Sequence, residues 1–414
     1  MAWDKGGVMV DVVLLAPPSR SDNHYRPPFS LLYVAGYYRS KGMSVKIADF
    51  PLEEQIRDRK FWRNRDAMLS ECKAKMLNEV VIHNPKLVGI SCYSTELDEV
   101  KDLIKGIRSI SNAKISVGGI HPTLRPQDFE GIADEVIQGR LDNNCACYDL
   151  VDMKHYSTPN IYAIRGVLRK TAQVLSGFGC PNQCTFCVAS TLRYFFKGEV
   201  KTPQGLANEI LTLKKKYNIN AFYIIDDLFT LNKHKVREFC SLIKELKLVW
   251  GCNSRVNTLD EATAKAMSNA GCIQLDFGVE RGSDEALKRL KKGITVNQIK
   301  EAFRLCHKYK IRTFANFLVN IPNETPQDWY DIEKLIKEIK PTITCINVYT
   351  YYEGCALGPE SLPSEELMRW KRKVMVKANW RSGFRWSAIK HSKVESFKDL
   401  YLLGKEGLNQ LCGR

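Results

Sequence analysis

The chain has 414 residues and a formal net charge of +16, from 62 Lys and Arg against 46 Asp and Glu. Its 44% hydrophobic and 26% charged residues are ordinary for a globular protein, which excludes a disordered, collagenous or coiled-coil chain. At this length we expect two or three domains. The longest apolar runs are far shorter than the roughly 20 residues of a membrane span, and no secretory signal is visible after Met1. We therefore expect a cytoplasmic protein with no membrane partner.

The first 150 residues alternate between buried strands and helices. Short apolar runs predict strands at 10–16, 44–49, 87–91, 114–117 and 135–138, and helices at 28–41 and 96–110. This alternation indicates a doubly wound, flavodoxin-like parallel sheet over residues 1–155, in an α/β chain. Ligands of such sheets bind at the carboxyl ends of the strands, which here are 17–19, 92–95, 118–122 and Gly139.

A second βα series begins near residue 172. Strands are predicted at 172–176, 221–225, 248–252, 273–279, 313–319 and 342–349, with helices at 203–217, 233–246, 260–270, 284–290, 296–309 and 326–339. Six βα units at this spacing favour a partial (β/α)6 barrel, open on one side, over residues 156–355. The remaining residues, 356–414, are predicted to form a short helical segment that caps the barrel or binds substrate.

Three cysteines directly follow the first strand of this second series. Cys180, Cys184 and Cys187 form a C-x3-C-x2-C pattern. On one loop they can reach three irons of a single cubane cluster and leave the fourth iron open, unlike an all-cysteine electron-transfer cluster. The alternative is three unrelated core thiols, since free cysteine is often buried. The nearby Gly177 and Gly179, which let the backbone bend closely, and the position at a strand end favour the cluster.

The cysteine pattern, with an aromatic residue just before its last member, resembles the cluster motif of the radical S-adenosylmethionine (SAM) superfamily. The resemblance covers roughly residues 165–355. It implies one [4Fe–4S] cluster whose open iron binds SAM, which is cleaved reductively to methionine and a 5′-deoxyadenosyl radical. By their positions after successive strands, the residues matched to the family's SAM contacts are Phe186, Asp226, Asp227, Ser254, Arg255, Glu280 and Asn320.

Each of these assignments has a structural alternative. The two aspartates could cap the next turn, and Arg255 could pair with Glu280. The segment 320–325 also departs from the family's usual turn, because Asn320 and Asn323 stand where glycines are common. Its contacts are therefore left open.

Residues 8–140 resemble the cobalamin-binding domain that precedes the radical domain in cobalamin-dependent radical SAM enzymes. The likeness rests on proline pairs, on the glycines at strand ends and on the loop 92–97, which is expected to lie under the cobalt. The residues assigned to cobalamin in this way are Pro17, Pro18, Pro28, Tyr93, Ser94, Thr95, Leu97, Gly118, Gly119, His121 and Gly139.

The D-x-H-x-x-G motif, which supplies a histidine to cobalt in other cobalamin proteins, does not occur in the sequence. The resemblance therefore implies base-off cobalamin without a histidine ligand from that motif. For His121, the favoured interpretation is that it borders the corrin tail or packs in a turn. Cys145 and Cys147 could mark a second metal site, but two cysteines without further ligands are more often incidental.

The resemblance implies a C-methyltransferase in which methylcobalamin supplies a methyl group to an unactivated carbon. A short chain with little extra substrate apparatus suits a peptide or protein target, and it is similar to the enzymes that methylate a glutamine of methyl-coenzyme M reductase. An electron donor such as ferredoxin or flavodoxin is expected as a partner. The cofactors carry the chemistry, and we identify no acid–base pair and no catalytic side chain.

Three other functions remain open. A cobalamin-dependent radical cyclase or rearrangement enzyme would share the same cofactors. A tRNA methylthiotransferase would need a second three-cysteine site, and Cys72, Cys92, Cys145 and Cys147 do not fit that pattern. A non-enzymatic cobalamin sensor would have no use for an open iron.

The segment 367–393 is the most basic part of the sequence. It holds nine Lys and Arg, no Asp or Glu, and Trp370, Trp380 and Trp386. Basic residues interleaved with aromatics can bind single-stranded nucleic acid. We favour a helical cap with core tryptophans and a solvated basic face, some of whose residues contact substrate, so a nucleic-acid partner is not expected.

Overall fold

The structure, a computed structural model, describes residues 9–17, 27–50, 65–141, 145–156, 159–160, 163–196, 198–199 and 201–394. The chain divides into two compact units, Met1–Tyr156 with Tyr194–Phe196, and Ser157–Arg193 with Lys197–Arg414. Both are built on parallel sheets with helices, which confirms the predicted fold class. The predicted domain boundaries stay predictions. In the described ranges, no helix is both long and apolar enough to cross a bilayer.

The first unit is organised around one parallel sheet. Its described residues form five strands in the order β2-β1-β3-β4-β5, the flavodoxin-like order. The strands are β1 (Val12–Leu15), β2 (Val45–Ala48), β3 (Leu87–Ser91), β4 (Lys114–Gly118) and β5 (Glu135–Ile137). The helices are α1 (Phe29–Ser40), α2 (Arg65–His83), α3 (Leu97–Ile110), α4 (Ile120–Leu124) and α5 (Met153–Tyr156).

Strand β1 lies between β2 and β3 and is buried along its whole length. From β1 the chain crosses to β2 on one side, and β3 then pairs on the other side. The carboxyl ends of β1 and β3 therefore flank the topological switch point, where open α/β sheets bind their ligands.

Helix α2 was not predicted, although its signal is present in the sequence. Cys72, Met76 and Val80 recur at four-residue spacing and are buried in the core of the unit. The polar residues between them mask this stripe, because the helix as a whole is not hydrophobic.

The second unit contains the partial barrel. Its main sheet has, among the described residues, seven strands in the order β14-β13-β12-β11-β10-β7-β6. The strands are β6 (Pro159–Asn160), β7 (Arg169–Val174), β10 (Ala221–Ile224), β11 (Val249–Ser254), β12 (Cys272–Glu280), β13 (Arg312–Val319) and β14 (Ile343–Val348). The six strands from β7 to β14 run parallel and in chain order, as predicted, whereas the unpredicted β6 is antiparallel to β7. A separate hairpin pairs β8 (Gly177–Phe178) with β9 (Gly198–Glu199).

The helices between the barrel strands follow the predicted positions closely, apart from the short helix after the three cysteines, which was not predicted. The helices of the second unit are α6 (Val188–Leu192), α7 (Pro203–Tyr217), α8 (Lys233–Ile243), α9 (Glu261–Asn269), α10 (Asp284–Arg289), α11 (Val296–Lys308), α12 (Pro326–Ile339), α13 (Glu365–Arg381) and α14 (Phe384–His391). Pro203 and Pro326 begin their helices, where a missing N–H costs nothing. Asp260 caps α9 by accepting a hydrogen bond from the Thr263 N–H at 2.8 Å.

The two faces of the barrel sheet have different chemistry. On the outer face, Phe277 packs against Phe303 of α11 with ring centroids 5.4 Å apart. Because side chains alternate along a strand, Asp276 projects to the opposite, concave face. There Gln274 donates to the Asp276 carboxylate at 2.8 Å, and Arg312 donates to the Gln274 amide oxygen at 2.9 Å. The concave face of the sheet is therefore polar.

The last described helix, α14, contacts the amino ends of the barrel strands. Phe384 and Ala388 of α14 pack against Phe314 and Ile343, which lie near the starts of β13 and β14. Arg312, the first residue of β13, donates to the Ser387 hydroxyl at 2.6 Å. These contacts of α14 lie at the edge opposite to the carboxyl ends that bear the three cysteines.

The expectation of core tryptophans was wrong for two of the three, and the third, Trp370, is only partly buried. Trp370 stacks on Trp329 with centroids 5.6 Å apart. Trp380 and Trp386 are instead 65% and 79% exposed. Both residues lie on the solvent-facing sides of α13 and α14. The residue type alone therefore did not predict whether they are buried.

Candidate functional site

The three cysteines lie on one loop at the carboxyl edge of the barrel. The loop follows β7 and hairpin strand β8, and α6 begins directly after Cys187. Cys184 is buried, whereas Cys180 and Cys187 are partly exposed, and all three are free thiols. Within the loop, the Cys187 N–H donates to the Cys184 carbonyl at 3.2 Å. We call residues 179–187 the three-cysteine loop.

The donor set of this loop fits an iron–sulfur cluster better than a single ion. No three His, Cys, Asp or Glu side chains of the described residues converge as ligands of one metal ion. A cubane carries its thiolates on separate irons, so they need not meet at one point. Burial raises the pKa of the Cys187 thiol to about 11, which leaves it protonated until bound iron stabilises the thiolate.

The two predicted aspartates hold the backbone that leads into the three-cysteine loop. Asp226 accepts a hydrogen bond from the Ser176 N–H at 2.7 Å and is also bonded to the Ser176 hydroxyl. Asp227 accepts from the Gly179 N–H at 3.1 Å. Burial raises the pKa of Asp226 to about 6, although the Ser176 hydrogen bonds act to lower it. Their role toward SAM stays a prediction; their role in shaping the loop is visible.

Arg255, which directly follows Ser254 at the end of β11, also lies beside the loop. The Arg255 guanidinium is buried, 3.8 Å from the Cys184 sulfur and 3.0 Å from the Asn257 amide oxygen. The Ser254 hydroxyl is bonded to Thr230 at 2.7 Å. Arg255 thus places a buried positive charge next to a cluster-type thiol.

Glu280 ends β12 in a strained backbone position, with φ of 65° at a β-bulge. Its carboxylate accepts a hydrogen bond from Lys292 at 2.8 Å, and both side chains are about nine-tenths buried. The structural alternative, a pair between Glu280 and Arg255, is not formed, because the Glu280 carboxylate pairs with Lys292. Lys292 was missed because nothing in the sequence marks it among its lysine neighbours. Its ammonium also lies 5.6 Å from the centre of the Phe186 ring.

Asn320 follows β13 and explains the departure from the usual glycine turn. Both Asn320 and Asn323 have positive φ, 65° and 60°, a conformation that asparagine tolerates better than most residues. The Asn320 amide donates to the Ser361 carbonyl at 2.8 Å, and its backbone N–H donates to Glu324 at 2.8 Å. The asparagines therefore form the turn that glycines form elsewhere.

A buried arginine, Arg281, connects the ends of two neighbouring strands at this edge of the sheet. Arg281 is fully buried, donates to the Leu318 carbonyl at 2.8 Å and pairs with Glu324 and Asp328. It ties the end of β12 to the turn after β13. Sequence reasoning missed it, since an arginine directly after Glu280 has no local signature of burial.

In the first unit, the predicted cobalamin residues lie at the carboxyl ends of β1, β3, β4 and β5. The segment 93–95 is exposed, and Leu97 begins α3. Gly118 ends β4, and the Gly139 N–H donates to the Thr123 hydroxyl of α4 at 2.9 Å. Pro17 follows β1 and Pro28 precedes α1. Pro18 lies outside the described residues.

His121 is 5% exposed and has both ring nitrogens in hydrogen bonds, to Ser94 at 2.9 Å and to Asp128 at 3.0 Å. It is thus committed within the protein, whereas the exposed loop 93–95 offers polar groups at the ligand-binding edge. This exposed edge at the switch point fits a large ligand laid across the strand ends.

Comparison with known families assigns both units. The radical SAM superfamily matches residues 174–336, and the B12 binding domain matches residues 22–145. These spans contain the three-cysteine loop and the β3 and β4 loops respectively.

Individual proteins resemble the chain over most of its length. An uncharacterised methyltransferase of Pyrococcus horikoshii is 24% identical to this chain. The similarity covers 89% of this chain and 87% of the Pyrococcus protein. An anaerobic magnesium-protoporphyrin IX monomethyl ester cyclase of Rubrivivax gelatinosus is 25% identical over 78% of this chain, which spans 64% of that protein. Among solved structures, the radical SAM methyltransferase TsrM of Kitasatospora setae superposes with a TM-score of 0.65 at 18% identity, covering 84% of this chain and 75% of TsrM. That likeness shows a common fold.

Proposed function

Because the chain belongs to the cobalamin-dependent radical SAM enzymes, we propose that it transfers a methyl group to an unactivated carbon of a peptide or protein. The family brings a [4Fe–4S] cluster, SAM and cobalamin. The observation that carries the proposal is the pairing of a three-cysteine loop on a partial barrel with a flavodoxin-like B12 unit in one chain. When bound, the cofactors supply the radical and the methyl group.

The residues of the chain bind and orient these groups. Cys180, Cys184 and Cys187 would hold the cluster, and Asp226 and Asp227 shape the backbone around it through Ser176 and Gly179. The further SAM contacts proposed are Phe186, Ser254, Arg255, Glu280 and Asn320. Base-off cobalamin is part of the proposal.

The concave face of the barrel supports a polar substrate such as a peptide. Asn253, Asp276 and Asn316 are partly exposed on it. The Asn253 amide oxygen accepts from the Tyr223 hydroxyl at 3.0 Å, and within the described ranges the Asn316 side chain makes only long contacts, of 3.5 Å. The Gln173 amide oxygen is buried with no hydrogen-bond partner in the described residues. Carboxamides with spare bonding capacity suit a substrate that offers amide donors and acceptors.

Glutamine-containing peptides of methyl-coenzyme M reductase are the first substrates to test. Ferredoxin or flavodoxin is the proposed electron donor, and no nucleic acid is proposed as partner.

A cyclase or rearrangement enzyme is the second candidate, since three relatives are cyclases. Anaerobic incubation with SAM, cobalamin, a reductant and candidate peptides separates the two. Methyl transfer yields both S-adenosylhomocysteine and 5′-deoxyadenosine, together with a peptide heavier by one methylene group. Formation of 5′-deoxyadenosine alone with a converted substrate would refute the methyltransferase proposal and support the second candidate.

The tRNA methylthiotransferase alternative is separated by iron content. One cluster per chain agrees with the proposal, and twice that iron requires a second cluster site. In the part of the chain that the structure describes, Cys72, Cys92 and Cys147 are buried and Cys145 is exposed, and they form no three-ligand group. A chain that binds cobalamin but never cleaves SAM would instead be a sensor.

A further inference from the structure

A buried histidine links two loops at the carboxyl edge of the first unit. His121, in α4 after β4, is bonded through Nδ1 to the Ser94 hydroxyl at 2.9 Å and through Nε2 to Asp128 Oδ2 at 3.0 Å. Arg125 donates to the same Asp128 oxygen at 2.9 Å. Ser94 is exposed, whereas His121 is 5% exposed. Ser94, His121 and Asp128 thus form one chain of hydrogen bonds that reaches the surface at Ser94.

The backbone holds these two loops in register. The Cys92 N–H donates to the Gly118 carbonyl at 2.9 Å, and the His121 N–H donates back to the Cys92 carbonyl at 3.2 Å. Gly119 has φ of 118°, and a Cβ there would lie 2.8 Å from the Cys92 carbonyl oxygen. Only glycine allows this approach, so the positions of Ser94 and His121 are set by the fold.

The direction of the hydrogen bond between His121 and Asp128 follows from the ionisation of Asp128. Burial acts to raise the pKa of Asp128, but hydrogen bonds from Arg125 and His121 outweigh it and lower that pKa. An ionised carboxylate only accepts, so Nε2 of His121 donates to Asp128. Nδ1 of the same ring is left to bond the Ser94 hydroxyl. That hydroxyl keeps further hydrogen-bonding capacity for a ligand.

We propose that His121 and Asp128 are positioning residues that hold the Ser94 hydroxyl for a hydrogen bond to a carboxamide group of cobalamin. This inference rests on the proposed function, because it takes cobalamin as the ligand of the first unit. Ser94 lies just after β3, which borders the switch point where such sheets bind ligands. His121 is buried beneath it and acts on the ligand through Ser94. A free serine would have to be oriented during binding, and this one is oriented beforehand.

The test measures hydroxocobalamin binding to the full chain by equilibrium dialysis. Ser94→Ala removes the hydroxyl and is expected to raise Kd roughly three- to tenfold, the size of one lost hydrogen bond. Ser94→Thr keeps the hydroxyl and is expected to bind within about twofold of wild type. His121→Phe keeps a ring against Phe129 and is expected to weaken binding, by no more than Ser94→Ala.

The double variant Ser94→Ala/His121→Phe distinguishes positioning from general support. If His121 acts through Ser94, the double variant binds no worse than Ser94→Ala. Additive losses would overturn the proposal, because His121 would then act separately. Ser109→Ala, on the exposed side of α3, is the matched control, since among the described residues its hydroxyl bonds only to the Gly106 carbonyl of its own helix.

Wild-type affinity in a folded Ser94→Ala protein would also overturn the proposal, and because Ser94 is exposed this variant is expected to fold. A wild-type chain that fails to bind hydroxocobalamin would refute the cobalamin part of the proposed function, and this inference with it. The two failures are therefore distinguishable.

Discussion

Lys292 donates a hydrogen bond to the Glu280 carboxylate at 2.8 Å, in a pair that is about nine-tenths buried at the end of β12. The pair joins a strand end to the segment after α10, beside the three-cysteine loop. Two charges out of water are tolerated only while each has its partner.

Lys292→Met is expected to destabilise the protein, because it leaves Glu280 as an unpaired buried charge. The loss should be about 3 kcal/mol of unfolding free energy, measured by anaerobic urea denaturation. Lys288→Met, on the exposed side of α10, serves as control. The pairing has no energetic role if both variants unfold at the same urea concentration. The double variant Glu280→Gln/Lys292→Met should recover part of the loss.

Gly278→Ala is expected to disturb the same pair from the strand side. An added Cβ would lie 2.4 Å from Glu280 Oε1 and 2.7 Å from Lys292 Nζ, so the carboxylate and ammonium must separate. Its effect on unfolding free energy should be less than additive with Lys292→Met, since both changes break one interaction. Full additivity would show that the effect of Gly278→Ala is independent of the pair formed by Glu280 and Lys292. Gly205→Ala, in the first turn of α7, tests the cost of an alanine outside the site.

Replacing any one of Cys180, Cys184 and Cys187 by alanine is expected to abolish the iron–sulfur absorbance and bound iron. The remaining two thiolates cannot hold three irons. Cys345→Ala is the control, because its thiol lies in β14 outside the three-cysteine loop. The cluster assignment fails for any cysteine whose alanine variant keeps its iron after anaerobic reconstitution.

Asp226 is expected to make stability fall as pH rises. Burial raises its folded pKa from 3.8 to about 6, so the folded state binds the proton more tightly than the unfolded state. This contribution is fully present below pH 3.8 and is lost as pH passes through about 6. Each pKa unit is worth about 1.4 kcal/mol. Asp226→Asn can keep the bonds to Ser176 and should reduce this slope; an identical slope in denaturation curves at low and neutral pH would contradict the expectation.

Asn379 is expected to fasten α13 to the edge of the barrel. Its amide oxygen accepts from the Thr344 N–H at 2.7 Å and its amide nitrogen donates to the Thr344 carbonyl at 3.0 Å. The side chain thus satisfies both backbone groups of Thr344 in the edge strand β14. Asn379→Leu leaves both groups unpaired and should cost about 2 kcal/mol or more in thermal unfolding. Lys377→Ala, exposed on the same helix, should be close to neutral.

Much of the fold could be predicted because its signals are local. The barrel strands and helices α7 and α12 fall where apolar periodicity and first-turn prolines place them, since these patterns depend on a few neighbouring residues. The hairpin β8–β9 and strand β6 were not predicted, because two-residue strands carry no period.

The candidate site was predictable only in part. The cysteine spacing is a property of one loop, and the asparagines at 320 and 323 stand where a positive φ is needed. The hydrogen-bonded pairs were not predictable. Asp226 with Ser176, and Ser94 with His121, join residues 50 and 27 positions apart, and no local pattern specifies such partners.

The sequence by itself determined the two βα units, the three-cysteine loop and the family, because apolar period, cysteine spacing and strand-end residues act within short segments. Only the tertiary structure decided that Lys292 and not Arg255 pairs with Glu280, and that His121 is committed to Ser94 and Asp128. It also placed α14 at the amino ends of the strands and left Trp380 and Trp386 exposed. Burial and pairing depend on which distant segments meet, and that is settled by packing of the whole unit.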